Sequence, residues 1–429
     1  MTRKTGRVLF IIFFFIFIII GVGAVFYSLG YRIDLSNFKI QKTGAIYIKT
    51  QPRNVIIKIN NKIYPDQSNI LQGGTLIQNL LPKTYKVEID KDGYAPYYKN
   101  LKVEQSVVAE IVHVLLIPNK INAVPVISIR GNTFIDSADN SNKFIFQNKT
   151  TGIFYLYNLN DPLKALNLNS LYSSVKKSSK INRVSFVPFN SQNLVVEDQS
   201  GLKILNLDHL TTTVITKNPP YVWNIENSIV YFIKNSDDVK NHNLILSSYN
   251  LIFQSENQLA EIPQSILSNK KFKEIKTSGG NDKIAFLDSD NNLFLFNQSS
   301  NEIKKISSNI KDFDFAPSND QMAYLNLDGK LNILFFKDFD GEIIKKTGDI
   351  VSFNLENKEN ITGINWFKDS FHIFIKYTDE TKIMEINDLP PLNTIKIISG
   401  AYQSYYDFKN NILFLADNGQ LQKIDFNSF

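Results

Sequence analysis

The hydrophobic pattern divides the chain into three regimes. Val8 to Phe26 is an unbroken apolar run with no charge, long enough as a helix to cross a bilayer. From Gly44 onward the apolar positions recur every second residue in short bursts separated by Asn, Asp and Gly, the pattern of strands and tight turns. Beyond Pro118 a longer rhythm appears. A triplet of mostly apolar residues, a polar turn and a second apolar strand recur together. The triplets are Phe144-Ile145-Phe146, Leu194-Val195-Val196, Ile229-Val230-Tyr231, Ile284-Ala285-Phe286, Met322-Ala323-Tyr324, His372-Ile373-Phe374 and Ile412-Leu413-Phe414, spaced about 45 residues apart on average. A repeat of that length with several strands in it is the signature of a propeller blade.

The expected fold is therefore all-β. An N-terminal transmembrane helix leads to a small antiparallel β-sandwich, and a β-propeller of about seven blades follows, with six or eight also compatible with the uneven spacing. The expected boundaries are a cytoplasmic tail at 1–7, a signal anchor at 8–29, a spacer at 30–43, the sandwich at 44–118 and the propeller at 119–429. One short stretch, 257–272, has room for one or two helical turns. The last repeat holds three strands, one short of a blade. Val124–Ile129 has no blade of its own and is expected to complete it by pairing with 421–426, with Pro125 tolerated because an outer edge strand can lack an N–H.

Arg3, Lys4 and Arg7 precede the apolar run, which places the N-terminus in the cytoplasm and residues 30–429 outside it. A cleaved signal peptide is the competing reading, with Val22-Gly23-Ala24 as a weak cleavage site. The run exceeds a usual signal core and lacks a polar segment before that site, which favours the anchor. The formal charge of +6 resides mostly here. Residues 1–43 carry six Lys or Arg against Asp34, leaving +1 for the rest, so no basic face for nucleic acid is expected.

Gly44-Ala45-Ile46-Tyr47-Ile48 opens a stretch in which Pro52 precedes a strand ending at Asn60-Asn61-Lys62, Leu80-Leu81-Pro82 precedes Tyr85-Lys86-Val87, Gly93-Tyr94 comes with Tyr97-Tyr98, and Leu116-Ile117-Pro118 closes. In this order and spacing the residues between Gly44 and Pro118 resemble a PEGA domain. The name-giving tetrapeptide is Pro52-Arg53-Asn54-Val55 and keeps only the proline, and Lys83 stands where a glycine is usual after Pro82. The resemblance implies an extracellular binding or spacer module without catalytic residues. Tyr94, Tyr97 and Tyr98 are expected to pack the sandwich, with a sugar-stacking patch as the alternative. From Val124 onward the repeats resemble TolB-type and WD-repeat-like blades, and Phe315-Ala316-Pro317-Ser318-Asn319-Asp320 carries that pattern best.

Candidate chemistry is sparse. With no cysteine, thiol catalysis, Cys-ligated zinc and Fe–S clusters are excluded. His113 and His372 fall inside strands and are read as packing residues. His209 and His242 fall in polar loops. No nucleotide or metalloprotease motif occurs. Ser278-Gly279-Gly280-Asn281 is glycine-rich, but no helix follows, so it reads as a turn. Asp288, Asp290 and Asn292 have calcium-loop spacing, yet Leu293 replaces the required glycine and a hairpin turn fits better. No catalytic, metal or cofactor residues are assigned. The expected function is non-catalytic: a membrane-anchored protein, held by residues 8–29, whose propeller face engages a protein or carbohydrate of the cell envelope. A propeller hydrolase acting on envelope polysaccharide is the alternative.

Overall fold

The computed structural model describes residues 3–35, 38–69, 72–129, 131–139, 142–177, 179–236, 243–263, 271–280, 282–400, 402–417 and 419–429. It separates into two compact units. The first comprises Met1–Lys120 with two short excursions, Phe339–Lys345 and Asn387–Asn393, and the second comprises the remainder.

In the first unit a single helix spans Arg3–Ser28. Its portion Thr5–Ser28 is long and apolar enough to cross a membrane, with none of that surface buried against the protein. A two-stranded hairpin, Tyr31–Asp34 with Lys39–Lys42, lies in the stretch expected as a plain spacer. Two sheets follow, one of three strands and one of four. They share one core in which Ile46, Ile77 and Ile111 of the first meet Ile57, Val87, Ile89 and Tyr97 of the second. Asn60 and Asn61 both adopt left-handed φ and close the hairpin that joins Ile59 to Lys62, as the Asn-Asn pair predicts.

Two expectations need correcting here. The sheets are not wholly antiparallel, because Gly44–Gln51 pairs in parallel with Val108–Leu115. Alternation in sequence marks a strand but is blind to the direction of its partner. The three tyrosines also divide. Tyr97 is buried and Tyr94 packs against the core, whereas Tyr98 is 44% exposed.

Within the same unit Glu342 ties the chain together. Its carboxylate accepts hydrogen bonds from the Val112 and His113 amides at 2.9 and 3.1 Å, from His113 Nδ1 at 2.8 Å and from Asn387 Nδ2 at 3.0 Å. Burial alone would raise its pKa, but these donors outweigh burial and hold it below the ordinary value.

The described residues of the second unit form seven four-stranded sheets, each antiparallel. Six are consecutive meanders. The seventh takes its outermost strand from the start of the array: Val124–Ser128 pairs with Gln420–Asp425, in the register Val124↔Lys423 and Ile127↔Leu421. The closure anticipated from the missing strand is thus present, with an irregularity just after Pro125. All seven apolar triplets fall in the second strands of the seven sheets, and nearly all of their side chains are buried. Consecutive apolar residues are the expected mark of a strand covered on both faces. The Phe144-Ile145-Phe146 strand shows this directly. Phe144 and Phe146 pack with Phe414 and Leu421 of the seventh sheet, while Ile145 packs with Phe186 and Leu194 of the second.

The structure adds a helix that strand periodicity hides. Leu168–Val175 is helical, capped by the Asn167 side chain on the Ser170 amide, and buries Leu168 and Tyr172. Tyr172 donates to the buried Asp198 at 2.7 Å. Conversely, part of the stretch expected to hold helical turns is strand, Ser255–Ile262, and residues 264–270 lie outside the described residues.

The pairing of Val124–Ser128 generates a prediction about cooperativity. Removing residues 119–129 leaves the Gln420–Asp425 edge unpaired and uncovers Phe144 and Leu421. Urea unfolding followed by tryptophan fluorescence is expected to broaden and shift to lower urea. Trimming 427–429 is expected to cost less but not nothing, since Asn427 bonds to both Asn410 and Asn411. An unchanged transition after the first deletion would remove closure as a source of stability.

Candidate functional site

The first strands of the seven sheets are Asn132–Ser137, Arg183–Val187, Val222–Glu226, Phe272–Thr277, Ile310–Phe315, Ile361–Trp366 and Gln403–Asp407. Each has an edge that no strand of its own sheet covers, and unpaired backbone groups there would be costly without partners. Side chains from neighbouring sheets supply them at every junction. Asp136 accepts the Phe186 amide at 2.9 Å, and Arg183 donates to the Trp223 carbonyl at 3.3 Å. Asn227 donates to the Gly279 carbonyl at 3.2 Å, and Lys276 to the Phe313 carbonyl. Asp314 accepts the Trp366 amide at 3.0 Å, the Tyr406 hydroxyl accepts the Lys368 amide at 3.3 Å, and Gln403 donates to the Phe134 carbonyl at 3.0 Å. The last of these bonds returns to the first sheet, so the first strands form a ring. This is the channel of a β-propeller.

Two adjoining cavities of about 450 and 390 Å³ occupy one end of that ring and share Asn224, Glu226, Asn227, Phe408 and Lys409. All seven first strands contribute to their lining, and the turns that follow those strands form the mouth. Two phenylalanines in these turns face solvent, Phe189 at 72% exposure and Phe408 at 41%. The Lys409 ammonium lies 4.4 Å from the centre of the Phe189 ring and 3.2 Å from Asp139.

The lining is rich in charge, and most of that charge is spent within the protein. Asp136 accepts from the Ser185 hydroxyl and from the Phe186 and Ser137 amides. Burial nonetheless pushes its pKa up to about 6. Asp314 accepts from Trp366 and from Asn365 Nδ2, and burial raises its pKa too, against the opposing pull of Lys276. Burial would lower the pKa of Lys276, but Glu274, Asp312 and Asp314 outweigh it and hold the ammonium charged. Asp139 is taken by Lys409 and the Phe189 amide, and Asp407 by the turn amides of Lys409 and Asn410. Arg183 lies 4.7 Å from the centre of the Trp223 ring. Glu226 differs. Its carboxylate makes no side-chain hydrogen bond among the described residues, and burial raises its pKa, opposed by Lys409 and reinforced by Asp314 and Asp139.

Of the residues singled out in the sequence, Gly279 and the Phe315-Ala316-Pro317 turn with Asn319 line the smaller cavity, and the histidines and the Asp288 segment lie elsewhere. His372 is buried against Asp369 at 2.7 Å, and His113 is the half-buried partner of Glu342. His209 is exposed in a turn, and His242 lies outside the described residues. The Asp288 segment forms the expected hairpin. Asp288 accepts the Asp290 and Asn292 amides at 2.9 and 2.8 Å, and its other oxygen takes Asn292 Nδ2 at 2.8 Å. Ser278 to Gly280 turns between two strands, while Asn281 lies outside the described residues. Among the described residues no group of three or more His, Asp or Glu side chains gathers as a metal site. Sequence reading passed over Glu226. Its only local signal is a carboxylate at the end of an apolar strand, just before a turn at Asn227.

No family model matches the chain, and no curated protein matches it. Among solved structures, the Cps50 (Swd1) β-propeller domain of Myceliophteria thermophila is similar at 11% identity and TM-score 0.48, covering 71% of this chain and 99% of that one. KlHsv2 with loop 6CD replaced by a Gly-Ser linker is similar at 9% identity and TM-score 0.42, covering 84% and 99%. The propeller assignment stands on the strand order and the ring of first strands.

Two predictions follow from the ring. Asp136 ordinarily titrates near 3.8 and is pushed to about 6 in the folded chain. Across that window the folded protein holds a proton that the unfolded chain releases, so Asp136 makes stability fall as pH rises. Asp136→Asn removes this contribution. Its unfolding free energy, compared with the parent by urea titration from pH 4 to 6, is expected to improve steadily relative to the parent. A constant difference would show that Asp136 titrates normally.

Gly363 provides the second. A Cβ at that position would lie 2.6 Å from Asp312 Oδ2, the oxygen that accepts the Ile364 amide. Gly363→Ala is expected to cost about 1–3 kcal/mol in the same assay. An unchanged midpoint would mean that the Asp312 clip moves aside without cost.

Proposed function

We propose that this is a single-pass membrane protein whose propeller binds a partner protein at the channel mouth. In this reading residues 1–7 are cytoplasmic and 8–29 anchor the chain. The spacer at 30–43 and a PEGA-like sandwich at 44–118 carry a closed, seven-bladed propeller at 119–429 outside the cytoplasm. The apolar Thr5–Ser28 helix supports the anchor, and Arg3, Lys4 and Arg7 ahead of it support the orientation. The seven sheets, together with the pairing of Val124–Ser128, support the blade count and closure.

The observation that carries the binding role is the chemistry of the mouth. Phe189 and Phe408 are exposed beside a concave channel of mixed polar and apolar lining, the arrangement in which aromatic side chains anchor a partner. The hydrolase alternative needs a pair of carboxyl groups free to act on a glycosidic bond. Asp136, Asp139, Asp314 and Asp407 hold strands and turns together, leaving Glu226 by itself. That distribution favours binding over catalysis.

The test is site-specific photo-crosslinking in membranes of cells making the full chain. A photoreactive residue replacing Phe189 or Phe408 is expected to give a discrete protein adduct. The same residue at Leu166, 41% exposed in an outermost strand, is expected to give none. Equal labelling at all three positions, or none, would overturn a binding site at the mouth.

A further inference from the structure

The hairpin Tyr31–Asp34 with Lys39–Lys42 has an apolar face open to solvent. Ile33 lies directly opposite Ile40, so both side chains belong to one face. Leu35 and Phe38 stand on either side of the tip. These four large apolar residues are 63 to 87% exposed. The alternate positions are polar: Arg32, Asp34, Lys39 and Gln41 form the other face, where Gln41 Nε2 donates to Asp34 Oδ2 at 3.4 Å. Such alternation belongs to a strand pair with an apolar neighbour on one side and water on the other.

The place of the hairpin in the chain points to that neighbour. Only Leu29 and Gly30 separate it from the helix Arg3–Ser28, whose Thr5–Ser28 portion is apolar enough to cross a membrane. The Thr43 amide donates to the Gly30 carbonyl at 2.9 Å and closes the base. The Arg32 guanidinium donates to the Tyr27 carbonyl at 2.9 Å and lies 3.6 Å from the centre of the Tyr27 ring. It also donates to Asn79 Oδ1 at 2.7 Å, in the strand Thr75–Leu80. The Tyr31 ring meets Phe26 edge-on at 5.2 Å. The hairpin is therefore fastened to the end of the helix. Strands of four residues extend only about 13 Å, so its tip stays near the surface from which the helix emerges. Tyr27 and Tyr31 suit that interface, and the exposed Lys39 and Lys42 reach toward lipid phosphates.

We propose that this hairpin lies in the bilayer surface beside the end of the helix, with Ile33, Leu35, Phe38 and Ile40 immersed among lipid headgroups and the upper acyl chains. The occupant of the apolar face is the lipid bilayer itself. So small a face holds a membrane weakly when alone, but the helix keeps it at the surface, so little intrinsic affinity is needed. Through Arg32 and Asn79 the contact also holds the Thr75–Leu80 sheet to the membrane surface. The proposal rests on the helix being a membrane anchor, and its test separates the two.

The chain has no cysteine, so a single introduced cysteine carries one fluorophore sensitive to its surroundings. Leu35→Cys and Ile40→Cys report on the apolar face, Lys39→Cys and Gln41→Cys on the polar face, and Phe17→Cys on the middle of the helix. Each full chain is reconstituted into vesicles of phosphatidylcholine and phosphatidylglycerol, with nitroxide lipids as shallow or deep quenchers. Labels at 35 and 40 are expected to shift to the blue. The shallow nitroxide is expected to quench them several-fold more than labels at 39 and 41. The label at 17 is expected to respond most to the deep nitroxide. Leu35→Asp with Phe38→Asp, at exposed positions that pack against nothing in the fold, is expected to abolish quenching of the label at 40. Equal quenching on the two faces would overturn the proposal, as would quenching at 40 that survives the double substitution. A blue shift at 35 and 40 without quenching by either lipid would mean that protein, such as a second copy, covers the face, and would also refute it. Any of these results with the label at 17 quenched would reject the hairpin contact and leave the anchor in place. Absence of quenching at 17 would reject the anchor itself.

Discussion

The pairing of Val124–Ser128 with Gln420–Asp425 is the contact on which the second unit depends. A row of meander sheets has two ends, and each end exposes a core face and a sheet edge. Here the strand that enters the array completes the sheet that leaves it, so the two ends of the array share one set of backbone hydrogen bonds. The cluster around the join shows what this covers: Phe134, Phe144 and Phe146 from the first sheet lie with Phe414 and Leu421 from the last. Fully burying such side chains contributes roughly 1.5–3 kcal/mol each. Pro125 is accommodated because the outermost strand needs hydrogen bonds on one side only.

The ring imposes a second demand at its centre. Seven inner strands converge with their free edges toward the channel, and each junction is stitched by a side chain reaching the neighbouring sheet's backbone. This explains why the channel is charged although its charges are largely committed. Asp136, Arg183, Lys276 and Asp314 are there because backbone donors and acceptors need partners, and a long charged side chain can reach across a gap that another strand cannot enter. Perturbed pKa values in such a channel therefore signal architecture first. What the stitching leaves over among the described residues is the Glu226 carboxylate.

Much of the fold was legible in the sequence, for a specific reason. A strand sandwiched between two sheets must be apolar on both faces, and each sheet contains one that announces itself as a triplet. The triplets therefore marked the second strand of every sheet. The edge strands are half polar and blur into turns, which is why the spacing looked irregular. The helix Leu168–Val175 was missed although its apolar residues Leu168, Leu171, Tyr172 and Val175 sit at helical spacing behind an Asn cap. Eight residues among so many strands offer little period to detect.

The sequence by itself determined the apolar helix, the all-β character, the repeat and the strand that closes it, because each is written in the spacing of neighbouring residues and burial acts on that spacing directly. Tertiary structure alone decided three things. It set the parallel pairing of Gly44–Gln51 with Val108–Leu115 and the junction bonds between residues about 40 to 50 positions apart. It also decided which of several similar carboxylates remains unspent. Asp136 and Glu226 look alike in the chain, each near the end of an inner strand before a turn. Both line the channel cavities, but the next sheet offers Asp136 an amide and offers Glu226 none, and no local pattern records what a folded neighbour will offer.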